Sequence, residues 1–186
     1  MAPTVFLLPG LGNSGRDHWQ TNWEIRYGYH RVEQDDWDRP KRAAWIARLE
    51  AELSAVRTGV VLVAHSLGCA LVTHWAREYG AGRVVGALLV APADVDSARR
   101  TPDEVRDFSP LPMRPLPFPS IVVASTTDSY VEHDRAAQFA TRWGAGFRSI
   151  GAAGHINADS RLGDWNDGHR FFTELLVELG APTKNI

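Results

Sequence analysis

A chain of 186 residues has room for one domain with a buried core. Its 20 Lys and Arg against 22 Asp and Glu leave a formal net charge of -2, so it lacks the basic footprint that binding to nucleic acid or an anionic membrane requires. The single cysteine, Cys69, excludes an internal disulfide framework and a thiolate metal cluster, and it suits a reducing, cytoplasmic setting.

The opening run MAPTVFLLPG is too short to span a membrane and lacks the basic flank of a signal peptide, so Thr4 to Leu8 reads as a strand. The glycine-rich loop LPGLGNSG, Leu8 to Gly15, follows it, and a weaker strand candidate lies near Tyr29. Pro40 to Val56 carries Ala44, Trp45, Leu49, Leu53 and Val56 on one face of a helix, with the leading proline in its first turn. A buried-type strand at Val60 to Ala64 runs into a helix at Leu67 to Tyr79, and a further strand follows at Val85 to Ala91. The proline-rich stretch Ser109 to Pro119 reads as an extended connection. Ser120 to Ser125 is a strand, Glu132 to Trp143 a helix, the region near Phe147 a weak strand, and Asp164 to Leu179 the last helix. This alternation predicts a single domain over residues 1–186, a doubly wound α/β sheet of about six mostly parallel strands with helices on both faces. Loops after the strand ends would then share the ligand-binding edge of the sheet.

The stretch VVLVAHSLGCALVTHWA, Val60 to Ala76, carries the chemical signal. Ser66 lies between strand and helix with small residues, Ala64 and Gly68, two positions to either side, as a strained turn presenting a hydroxyl above a sheet requires. Ala64 departs from the first glycine of G-x-S-x-G, so the strand-to-helix context carries the assignment. A serine hydroxyl is a weak nucleophile and needs a base, held in turn by an acid. Asp128 follows the strand at Ser120 and His155 follows the strand-like FRSIG, which puts three reactive groups at three strand ends in the order Ser, Asp, His. Asp94, at the exit of the Val85 strand, is a rival acid, whereas Asp134 falls inside a helix. His65 is expected to pack behind the turn, and His18, His74, His133 and His169 read as surface or capping residues. Cys69 reads as a buried small hydrophobe. The N–H groups of Leu67 and Leu11 are the expected oxyanion donors. The glycines Gly10, Gly12 and Gly15 also match G-x-G-x-x-G, a weak pointer to a dinucleotide because no acidic ribose partner is clearly placed.

The segments LPGLGNSGRDHWQTNWE, QDDWDRP, AHSLGC, LPFPSIVVASTTDSYV and GHINADSRLGDWNDG resemble, in order and across nearly the whole chain, the small α/β-hydrolase family of retinoblastoma-binding protein nine and its bacterial serine hydrolase relatives. The resemblance implies an α/β-hydrolase fold without a large cap, with Ser66 as nucleophile, His155 as general base and Asp128, rather than Asp94, as the orienting acid. It also implies carboxylesterase-like chemistry on small esters, or on amides or peptides, with no cofactor, no metal and no stated protein partner. Only Pro92 to Phe118 is available to wall a pocket, which favours small or extended acyl groups. Trp45, Trp75 and Trp143 read as core, while Trp37 and Trp165 either close the core edge or line the pocket. A non-catalytic protein- or ligand-binding module on the same scaffold, and acyl transfer to an acceptor other than water, are the alternative readings.

Overall fold

The computed structural model describes residues 2–182. Six strands, β1 (Thr4–Leu8), β2 (His30–Arg31), β3 (Val60–His65), β4 (Val84–Val90), β5 (Ser120–Ala124) and β6 (Gly146–Ser149), form one sheet in the order β2-β1-β3-β4-β5-β6. Every neighbouring pair is parallel. The helices between them are α1 (Trp19–Tyr27), α2 (Arg42–Ala55), α3 (Leu67–Tyr79), α4 (His133–Trp143) and α5 (Asn166–Glu178).

The apolar runs become strands because both faces of the sheet are covered. Successive side chains point to opposite sides, and β1 and β3 divide accordingly. Phe6, Leu8, Leu62 and Ala64 join a core with α2, α3 and α4, while Val5, Leu7, Val61 and Val63 join another with α1 and α5. Such strands carry no polar face, which is why the sequence shows continuous runs rather than alternation.

The structure corrects the sequence-based expectation in three places. Helix α1 was not foreseen: its buried side consists of Trp19, Gln20 and Trp23, too few apolar positions to give a clear period. It is held at its ends instead, by the His18 side chain accepting from the Gln20 amide and by Gly28 in the left-handed region at φ 68°. Helix α2 starts at Arg42 after an N-cap at Lys41, so Pro40 precedes it, and it buries Ile46 while Ala44 stays exposed. The strand near Tyr29 shrinks to the two residues of β2, a short edge that offers little to another chain. Between β4 and β5 the chain forms a 3-10 helix at Asp103–Phe108 and then runs irregularly through the prolines to Pro119.

The chain leaves β1 toward β2 on one side and returns to β3 on the other. The sheet order therefore reverses between the ends of β1 and β3, and a crevice opens there at the carboxyl edge.

Candidate active site

Ser66 stands at that reversal. It follows β3, precedes α3, and holds φ 56° and ψ -118°, a conformation uncommon for any residue with a Cβ. Two glycines let the turn form. A Cβ on Gly68 would lie 2.3 Å from the Leu8 carbonyl oxygen, and one on Gly10 would lie 2.8 Å from Ser66 Cβ. The loop after β1 thus touches the turn backbone to backbone. Ala64 takes its extra methyl into the core shared with α2, α3 and α4, where it is fully buried. That explains why alanine serves where the pattern has glycine.

Leu11 and Leu67 line the same cavity as Ser66, and among the described residues neither backbone amide has a backbone or side-chain acceptor. The loop bearing Leu11 is braced from behind. The buried Arg31 guanidinium donates to Asn13 Oδ1 and the Ser14 carbonyl, each at 2.8 Å, and pairs with Glu24 at 2.7 Å. Gln20, fully buried, donates to the Val63 carbonyl at 3.1 Å and accepts from Ser14 Oγ at 2.6 Å. Neither Arg31 nor Gln20 was legible as part of the site, because Arg31 acts through the Asn13 side chain and the Ser14 carbonyl and Gln20 through strand carbonyls and the Ser14 hydroxyl, rather than through a reactive group.

His155 enters from the loop after β6. Its Nε2 accepts from Ser66 Oγ at 2.8 Å, and its Nδ1–H faces both oxygens of Asp128 at 2.9 Å. Asp128, on the loop after β5, has a fully buried side chain and accepts from the Tyr130 amide at 2.8 Å. The carboxylate is thereby fixed by a backbone donor as well as by the imidazole. Asp94 lies elsewhere: its carboxylate faces Arg135 at 3.4 Å, and its amide donates to the Tyr130 carbonyl.

Three histidines expected at the surface or at helix caps are buried: His18, His74 and His169. His18 does cap α1, but burial beside Arg31 and His155 lowers its pKa to about 3. His74 donates to the Phe108 carbonyl at 2.7 Å and His169 shares a hydrogen bond with Tyr29, and burial lowers the pKa of both. His65 is packed as expected and is held well below the ordinary histidine range by burial. Trp165 closes the core beside Trp19 and Trp23, and Trp37 packs edge-on against Trp45, so both belong to the core edge. Cys69 is buried, with its thiol pKa pushed up by desolvation.

Ser66 and His155 open into a cavity of about 220 Å³. One wall, Ala93, Pro102, Val105 and Tyr130, is mainly apolar and comes from the segment after β4 and the loop after β5; the other, Asn13, His18, Asn157 and Asp159, is polar. The apolar wall is stiffened by Arg106, which donates to the carbonyls of Val95, Ser97 and Thr101. A larger groove of about 660 Å³ beside Met113 and α4 contains no nucleophile paired with a base, so size alone does not locate the chemistry.

Fold and strand order define an α/β hydrolase. The family model described as serine hydrolase matches residues 5–174, and the chain belongs to that family. Among solved structures it is similar to a protein of Pectobacterium atrosepticum assigned as a YdeN-like hydrolase, with 31% identity over 97% of this chain and 94% of that one and a TM-score of 0.86. It is also similar in fold to the ydeN gene product of B. subtilis, at 19% identity, 94% and 99% coverage and a TM-score of 0.75. The esterase RhEst1 from Rhodococcus sp. ECU1013 shares the fold at 16% identity, 96% and 90% coverage and a TM-score of 0.67. No curated protein matches the chain in sequence. Among the described residues no helix is long and apolar enough to cross a membrane.

Proposed function

We propose that this protein is a cytoplasmic, single-domain carboxylesterase-like enzyme that cleaves small esters, and amides of similar size, through an acyl-enzyme on Ser66. The observation that carries the proposal is the continuous hydrogen-bonded run from Ser66 Oγ through the His155 ring to Asp128, at 2.8 and 2.9 Å, rooted in a positive-φ turn. The sequence resemblance to the retinoblastoma-binding protein nine group supports the same roles.

Ser66 Oγ attacks the carbonyl carbon as its proton passes to His155 Nε2. The carbonyl oxygen becomes an oxyanion that accepts from the N–H groups of Leu11 and Leu67, whose lack of other acceptors supports this role. The imidazolium, paired with Asp128, returns the proton to the leaving oxygen or nitrogen as the carbon–leaving-group bond breaks. Water then attacks the acyl carbon, His155 takes its proton and delivers it to Ser66 Oγ, and the acid departs. Nucleophile, base, acid and donors all come from the chain, so the reaction as proposed uses no metal or cofactor. A cavity of about 220 Å³ supports a small acyl group.

Labelling with a fluorophosphonate, peptide mapping and a panel of nitrophenyl esters of increasing chain length test the proposal. Modification at Ser66 with turnover of acetate and butyrate esters is expected. A folded sample that neither labels nor turns over would point to a binding module, and faster cleavage of long-chain esters would overturn the size argument.

A further inference from the structure

His65 precedes the proposed nucleophile, yet its side chain reaches the other half of the site. Its Nε2–H donates to the His155 backbone carbonyl at 2.9 Å, a contact spanning 90 positions of sequence. The segment it grips has little regular structure. Gly154 and Ile156 both have positive φ, at 56° and 50°, so the base sits between two residues in the left-handed region. On the acid side this loop is tied by Ser125 Oγ to the Ala153 amide and by Thr127 Oγ1 to the Gly154 amide. On the α1 side Trp19 Nε1–H donates to the Ile156 carbonyl at 2.8 Å. The tie from the nucleophile strand is His65.

We infer that His65 is a positioning residue: it fixes the height and tilt of the His155 ring relative to Ser66 by holding the base's own carbonyl from β3. Because Ser66 and His65 are consecutive, one rigid strand end sets both partners of the proton transfer. The ring contacts agree, since His155 is packed between His65, with centroids 4.9 Å apart, and Tyr130, at 4.4 Å. His18 packs edge-on against the other side of His65 at 4.7 Å. Both of these histidines are buried and uncharged, so they do not oppose the positive charge the base acquires during reaction.

The inference rests on the proposed roles of Ser66 and His155, and the test separates the two. In His65→Phe the ring remains but the donor is lost; in His65→Gln an amide N–H stands near the place of Nε2–H. We expect His65→Phe to lower kcat about tenfold or more with little change in KM, because a small misplacement of a catalytic group costs rate rather than binding. His65→Gln should recover most of that loss at equal or lower thermal stability. The low-field proton resonance of the His155–Asp128 hydrogen bond, which is read without turnover, should be sharp in the wild type and in His65→Gln and broadened in His65→Phe. An unchanged resonance and kcat in His65→Phe would overturn the inference, as would equal losses in both variants. Failure of the wild-type protein to label at Ser66 would instead strike the proposed function.

Discussion

The turn at Ser66 and the loop at His155 solve the same problem by different physical means. The turn is made of regular structure: a strand buried on both faces, a helix buried along its first three turns, and two glycines where backbone meets backbone. The loop from Gly151 to Asn157 belongs to no helix or strand and is held by side-chain bonds from Ser125, Thr127, His65 and Trp19. The nucleophile is therefore fixed by the fold itself, and the base by a set of side-chain ties. Substitutions at the turn should act all or none, and those at the loop by degrees.

The largest effect should come from the reacting groups. Ser66→Ala and Asp128→Asn are each expected to cut kcat about 10³- to 10⁴-fold while melting close to the wild type. Asp94→Asn should stay within about threefold because its carboxylate lies against Arg135 and not His155; steady-state kinetics on one nitrophenyl ester checks all three. A severe Asp94 variant beside a mild Asp128 variant would move the acid to the end of β4.

Next comes the packing of the turn. Gly68→Ala places a methyl against the Leu8 and Pro9 carbonyl oxygens, at 2.3 and 2.9 Å, and backbone there has no room to yield. A loss of about 3 kcal/mol in urea unfolding is expected, with activity lost alongside.

Mild acid probes the junction between turn and loop. His18 is neutral in the fold with a pKa of about 3 but takes a proton near pH 6.5 when unfolded. The unfolded state then binds more protons, so stability falls as pH drops below about 6.5, by about 2 kcal/mol at pH 5 from His18 alone. His65, His74 and His169 are shifted in the same direction and add to the loss. Urea midpoints between pH 7.5 and 5 measure it, and His18→Asn, which keeps a capping oxygen, should flatten the slope.

The smallest effects belong to the two hydroxyl ties on the acid side of the loop. Ser125→Ala and Thr127→Val should each cost about 1 kcal/mol and lower kcat a few-fold, with the double variant departing from the sum because the two hydroxyls lie 3.4 Å apart in one network.

This contrast also explains what the sequence disclosed. Runs such as Val60 to Ala64 declare themselves because burial on both faces demands them, and small residues around Ser66 follow from close backbone contact. Asp128 could be noticed because it follows such a run, and His155 because it follows the weaker strand near Phe147. The ties could not. His65, Gln20 and Arg31 act through carbonyls and amides of residues distant in sequence, and α1 shows two tryptophans where a helix signal needs a stripe. The burial of His74 and His169 is hidden for the same reason: a polar residue's burial depends on a partner that a one-dimensional pattern does not name.

Cys69 carries a last consequence. It is the chain's sole sulfhydryl, one residue beyond Gly68, sealed between the Ala64 and Val90 carbonyls. In the native state it is closed to alkylating reagents, and no second thiol competes for them. The rate at which iodoacetamide modifies the protein therefore clocks how often the active-site helix opens, giving each variant above an intrinsic reporter of local breathing with no dye or engineered probe.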